Sequence, residues 1–248
     1  MSSYRVLAKY YDRLTGDVQY GNFADFYESE FKRNGGEFRL LLDLCCGTGT
    51  LTEIMLNRGY DIIAVDNSED MLMEARDKYA YSGEDNEKIP LFLCQEADKL
   101  DLYGTVDAAY CSLDGINYLS AVKLGRMLSR LKHFVRPGGL FIFDVRTSNF
   151  FTQTDGSILV DEDDGVLCLW RADYYPEKRK MIYGMDIFSS LDDLGNSWSR
   201  EKEEHIEYYH SVDSLNKLLV KNSFNNIRVC EKLLDNDPER MFISAERI

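Results

Sequence analysis

A doubly wound α/β fold with a mainly parallel seven-stranded sheet and an inserted antiparallel β cap is what this sequence predicts. Three observations carry the expectation. Short apolar runs alternate with helix-periodic segments from Gly36 to Val145. Turn residues at short intervals interrupt that rhythm between about 150 and 208. Two strand-like runs then close the chain with no room for a helix between them. Alternating strand and helix imply right-handed crossovers and helices on both faces of a parallel sheet. At 248 residues the chain is long enough for one large α/β domain with an insert.

Residues 4 to 33 read as helical and aromatic-rich, ending at "NGG", where Gly35 and Gly36 mark a break. "FRLLLDL" is a short run of buried-strand type. "TLTEIMLNRG" has apolar residues at 51, 54 and 55 and a capping glycine, Gly59. "YDIIAVD" is a second strand, "SEDMLMEARDKY" a second helix opened by Ser68, and "IPLFLC" a third strand. "TVDAAYCS", the helix "AVKLGRMLSRLKHFV" stopped by "RPGG", and "GLFIFDV" continue the pattern. "ILVDED", "VLCLWRADYY", "KMIYGMDIFSSLD" and "SREKEEHIEYYH", divided by "DDG", "PEKR" and "DDLGN", predict an antiparallel sheet. "SVDSLNKLLVKNSF" is a last helix, and "NNIRVCEKLL" and "ERMFISAERI", joined by "DNDP", are two antiparallel strands. The expected organisation is one unit from 1–149 and 209–248, with residues 1–36 as a helical lid, and a cap from 150–208.

The net charge of −14 argues against a nucleic-acid partner, because phosphate neutralisation needs clustered Lys and Arg and the longest basic run is "EKRK". No run of about 18 apolar residues occurs, and "MSSYRVLAKYYDRL" lacks the apolar core of a signal peptide, so a cytoplasmic protein with no membrane partner is expected, as monomer or homodimer. The six cysteines include no Cys-x-x-Cys pair and no histidine at ligand spacing, which predicts reduced thiols and no metal. His205 and His210, five apart, would fall on opposite faces of a strand. The run "DEDD" at 161 to 164 reads as a solvated hairpin turn, and His133 as a surface residue.

The first strand ends in Asp43, and Gly47 and Gly49 let the chain turn sharply before a helix begins near Thr50. A lone Gly-x-Gly is weak evidence. It gains weight from Asp66, which closes the next strand 23 residues beyond Asp43, where dinucleotide folds place the acid that binds a ribose diol. A dinucleotide site would want glycine at 52, where this chain has Thr52, and a pyrophosphate disfavours an acid such as Asp43 just before the turn. A phosphate-free cationic ligand tolerates Asp43 better. An NAD(P)-linked oxidoreductase stays open as an alternative.

"LDLCCGTG", "AVDNSEDML", "QEAD", "CSLDGINYL" and "RPGGLFIFDV" stand in an order that resembles the class I S-adenosylmethionine-dependent methyltransferases, of the small-molecule type with an N-terminal lid and an inserted cap. The resemblance covers about residues 4 to 146 and 205 to 248 and implies a Rossmann-like core, S-adenosyl-L-methionine as cofactor and S-adenosyl-L-homocysteine as product. It implies that Cys45, Gly47 and Gly49 hold the methionine moiety and that Asp43 organises that turn. It further implies ribose binding by Asp66 beside Asn67, adenine contact by Met71, Ala97 and Asp98, Ser112 at the methionine end, and Tyr11 and Tyr20 as lid tyrosines. Asn117, Arg146, Trp170, Tyr174 and Tyr183 are the expected contacts to a small-molecule substrate. Methyl transfer from a sulfonium needs alignment more than an enzyme nucleophile, and no catalytic base stands out. A non-catalytic S-adenosylmethionine-binding protein is the second alternative.

Overall fold

The computed structural model describes residues 4–80, 88–192, 196–231, 234 and 237–248. Most of the turn expected at "DDLGN" and half of the connection "DNDP" lie outside the described residues. The N-terminal stretch forms two helices, α1 (Ala8–Leu14) and α2 (Tyr20–Asn34), rather than one continuous helical segment. The break falls where Thr15, Gly16 and Asp17 interrupt the apolar period, and α2 stops at Gly35, whose φ is 79°.

The expected alternation follows: β1 (Leu40–Leu44), α3 (Thr50–Asn57), β2 (Asp61–Asp66), α4 (Glu69–Ala80), β3 (Leu91–Cys94), β4 (Val106–Cys111), α5 (Ala121–Phe134) and β5 (Val135–Arg146). The chain ends in α7 (Val212–Lys221), β10 (Phe224–Cys230) and β11 (Arg240–Arg247). Seven strands form one sheet in the order β10-β11-β5-β4-β1-β2-β3. β1 to β5 pair in parallel, whereas β11 runs antiparallel to both β5 and β10. Strand order reverses at β1, between β2 and β4, so the carboxyl ends of these strands border a crevice suited to a ligand. Apolar helix faces cover both sides, with Leu124, Leu128 and Leu131 of α5 in one core and Phe23, Phe26 and Phe31 of α2 in the other.

Between β5 and α7 the chain builds a short helix α6 (Ser148–Thr154) and a separate sheet of β6 (Ile158–Asp163), β7 (Val166–Tyr175), β8 (Lys180–Ser190) and β9 (Trp198–Tyr208), paired in that order and antiparallel throughout. α6 escapes the sequence reading because "SNFFTQT" has little helical period; Thr147 caps it and Phe151 buries it. Asp161 to Asp163 belong to β6, not to a turn, which leaves only Asp164 of the acidic run between strands. One cap face carries Cys168 and Trp170 of β7, Met185 and Ile187 of β8, and Glu203, His205 and Glu207 of β9, as register and two-residue alternation require. The N-terminal residues Tyr4, Leu7 and Tyr11 pack onto this face.

A buried ion cluster ties the carboxyl edge of the main sheet together. Arg240 is 4% exposed and donates to Asp144 at the end of β5, to Asp114 in the loop after β4 (2.7 Å) and to Asp237 just before β11 (2.8 Å). Asp144 also accepts the backbone N–H of Asp114 at 2.8 Å. Burial would weaken the Arg240 charge, but the three carboxylates hold it firmly protonated. Arg240→Met leaves buried acids without their cation and is expected to cost roughly 3–5 kcal/mol in urea denaturation. A loss below about 1 kcal/mol, the size of an exposed pair, would show that the cluster is not anchored by this residue.

Candidate active site

The turn after β1 is wound by Cys45, Gly47 and Gly49, whose φ values of 61°, 55° and 74° are all left-handed. Asp66 holds the turn in place: one carboxylate oxygen accepts the Gly47 N–H at 2.9 Å and the other the Ser68 N–H at 2.8 Å. Asp43, expected to organise this turn, instead accepts the hydroxyl of Thr52 at 2.5 Å and so anchors the first turn of α3. Thr52 therefore fills the place of a third glycine with a buried hydrogen bond. Gly49 also departs from expectation. It lies off the cleft wall, and a side chain there would meet the Ala75 Cβ at 3.2 Å, so this glycine serves the packing of α3 on α4.

Tyr11, Tyr20, Asp43, Cys45, Gly47, Asp66, Asn67, Met71, Ala97, Asp98 and Ser112 all line one cleft at the ends of β1, β2 and β4. Asp98 is buried, with one carboxylate oxygen taking both Arg126 nitrogens at 3.0 and 2.7 Å and the other left without a hydrogen-bond partner. Ser112 is held by the Tyr27 hydroxyl at 2.7 Å. Burial raises the Asp43 carboxyl to about 7, against the opposing hydrogen bond from Thr52. Burial also raises Asp66, offset in part by the N–H groups of Ser68 and Gly47.

α1 is fastened to the turn after β1 by a residue outside the expected site. Asp12 of α1 accepts the hydroxyls of Thr48 (2.5 Å) and Thr50 (3.1 Å) and pairs with Lys78 of α4 at 2.7 Å. Its signal was its place in "YYDRL", beside Tyr11. Tyr4 and Tyr118, also unanticipated, join the cleft wall, and the Tyr4 hydroxyl donates to that of Tyr118 at 2.6 Å.

None of the five expected substrate contacts lines the cleft. Asn117 is fully buried; its amide donates to the Tyr208 carbonyl at 2.9 Å and its oxygen accepts the Arg146 N–H at 3.1 Å, so it joins β5 to the end of β9. Arg146 is paired with Asp237 at 2.8 Å and covers the Phe150 ring at 4.3 Å, so its charge is already met by the protein. Trp170 and Tyr183 meet edge-on at 6.1 Å on the inner cap face, whereas Tyr174 packs on Phe151 at 5.5 Å, away from the cleft.

Facing the lid, β9 presents a polar series. His205 is buried between the Tyr118 hydroxyl at 3.4 Å and Glu203 at 3.1 Å, and Glu203 accepts the backbone N–H groups of Tyr4, Val6 and Leu7. Beyond the strand, His210 is buried with its ring nitrogen at 2.9 Å from the Leu119 carbonyl. No group of histidines, cysteines and acids suited to a metal ion occurs among the described residues, and none of their helices is long and apolar enough to cross a membrane.

Residues 41–139 match the family model described as a methyltransferase domain. The chain is similar to "Putative methyltransferase YqeM" of Bacillus subtilis, at 25% identity over 98% of this chain and 97% of that one. A crystal structure of an S-adenosylmethionine-dependent methyltransferase from Clostridium acetobutylicum superposes with a TM-score of 0.83 at 25% identity, covering 98% of each chain. The sugar N-methyltransferase KedS8 from Streptoalloteichus shares the fold, with a TM-score of 0.81 at 17% identity over 100% of this chain and 94% of that one.

The Asp43 carboxyl gives the ligand-free protein a pH signature. Its folded value of about 7 lies above the ordinary carboxylate range, so the unfolded chain releases this proton first. Stability contributed here falls as pH rises through that window. Asp43→Asn removes the effect, so its Tm relative to the unsubstituted protein should improve from about pH 4 to about pH 7 and level off above that. Parallel melting curves across that range would show that Asp43 ionises normally.

Proposed function

We propose that this chain, which carries a class I S-adenosylmethionine-dependent methyltransferase domain, transfers the methyl group to a small molecule enclosed between the cofactor cleft and the antiparallel cap. The observation that carries the reading is the roof over the cleft. The N-terminal residues pack on the cap, and Asp12 fastens α1 to the turn after β1, so a macromolecular acceptor would have to displace the lid. The similarity to a sugar N-methyltransferase accords with a small acceptor.

The residues present fit the cofactor at three points. The unpartnered, buried oxygen of Asp98 is an acceptor suited to the adenine amine, beside the Ala97 backbone and Met71. Asp66, beside Asn67, stands where the ribose hydroxyls would be received. The left-handed turn at Cys45 and Gly47, Ser112, and the rings of Tyr11 and Tyr20 surround the place for the methionine end, where aromatic faces favour a sulfonium. When bound, S-adenosylmethionine would supply a methyl carbon for in-line attack by an acceptor lone pair, with the thioether sulfur as leaving group. The protein's part is to hold acceptor and methyl carbon aligned and to exclude water, worth about 7–11 kcal/mol when orientation is good.

Calorimetry should detect S-adenosylmethionine binding, and incubation of the labelled cofactor with a metabolite extract should give a labelled small product. Asp66→Ala is expected to weaken cofactor binding by ~2–4 kcal/mol. Binding without any transfer would favour a non-catalytic role, and unchanged affinity in the variant would place the ribose elsewhere.

A further inference from the structure

Glu207 is a buried acid of the antiparallel sheet. It lies on the inner face of β9, two residues past His205, and is 4% exposed. One of its carboxylate oxygens is buried with no hydrogen-bond partner. The charged and titratable groups that face it are Asp114 and Tyr118 from the loop after β4, Arg146 of β5, Arg240 of β11, Tyr183 of β8 and Tyr4 of the lid. Both guanidiniums are already engaged: Arg240 by Asp114, Asp144 and Asp237, and Arg146 by Asp237. Three carboxylates thus meet two cations before Glu207 is counted; Arg146, whose Nε has no hydrogen-bond partner, and Arg240 offset its charge only in part, and the group as a whole is one cation short even without Glu207. Glu207 itself lies behind the cleft wall; Tyr118 lines that wall, and its hydroxyl accepts from Tyr4 and lies 3.4 Å from the Nδ1 of His205, the neighbour of Glu207 on the inner face of β9.

We propose that the methyl acceptor is an amine, and that Glu207, acting with the Tyr118 hydroxyl, pairs with its ammonium group and takes its proton. This rests on the methyl-transfer reading above and names the substrate class of that site. An ammonium is the missing counter-charge, and the surrounding tyrosine rings favour a cation further. The proton passes from nitrogen to the Glu207 carboxylate, directly or through Tyr118. The freed lone pair forms the N–C bond as the C–S bond breaks with its electrons going to sulfur. The proton stays on Glu207 as the methylated product departs and is expelled to water by the next ammonium, so atoms and charge balance. Burial, reinforced by Asp114, pushes the Glu207 carboxyl up to about 8, against Arg146 and Arg240. At neutral pH the empty site therefore holds a proton that an arriving ammonium expels.

The test loads the protein with S-adenosylhomocysteine and titrates glucosamine, putrescine and tyramine against glucose, butanediol and tyrosol, in two buffers of different ionisation enthalpy. At least one amine should bind roughly tenfold or more tighter than its hydroxyl counterpart, with release of a proton. Glu207→Gln, nearly the same shape, should lose both the preference and the proton release while keeping S-adenosylhomocysteine affinity, and Glu207→Asp should restore part of each. No preference for any amine, or a preference and proton release that survive in Glu207→Gln, would overturn the proposal. Failure of S-adenosylhomocysteine to bind the unsubstituted protein is a separate result, and it would sink the methyl-transfer reading first.

Discussion

The ligand end of this molecule depends on one buried guanidinium. Arg240 joins three segments that are distant in sequence: the end of β5 through Asp144, the loop after β4 through Asp114, and the entry to β11 through Asp237. The last strand pair runs antiparallel to β5, and this ion cluster brings its amino end against the carboxyl ends of the parallel strands. The loop that carries Ser112 and Tyr118 to the cleft is thereby fixed from behind. Arg146, one step further along β5, shares Asp237 and begins the passage to the cap.

Around this anchor the site is acidic and only partly neutralised. Burial raises the carboxyls of Asp43, Asp66, Asp144 and Glu207 above their ordinary range, because each is withdrawn from water with incomplete compensation. Asp114 shows the contrast: burial opposes its ionisation, yet Arg240 and Arg146 hold it below the ordinary value. Such an enclosure suits cations. In the proposed reading a sulfonium donor would satisfy one part of it, beside Asp43 and Asp66, and an ammonium the region near Glu207.

What the sequence made legible was local. A strand ending in Asp43, a turn with two glycines, and Asp66 closing the next strand are consecutive features whose geometry follows from strand and turn chemistry. All but one of the cofactor-site residues that the family resemblance implies line a single cleft. The exception, Gly49, has the expected left-handed turn, but its neighbour Ala75 comes from another helix. The expected substrate residues lie off this cleft for the same reason. Asn117 and Arg146 follow β4 and end β5, yet Tyr208 and Asp237, far along the chain, draw them into the protein's own network. The alternation of Glu203, His205 and Glu207 was visible in "REKEEHIEY", but among so many charges nothing told which face was inward. That was decided by β8 and the lid packing on the same side.

The central claim is that the cleft beyond β1, β2 and β4 holds the methyl donor with the lid closed over it. A crystal structure of the protein soaked with S-adenosylhomocysteine tests this most directly. The account predicts the ribose hydroxyls within hydrogen-bond reach of Asp66, the adenine amine on the free oxygen of Asp98, and the sulfur under Tyr11 and Tyr20. Density for the ligand outside this cleft, or an adenine that leaves Asp98 uncontacted, would contradict it.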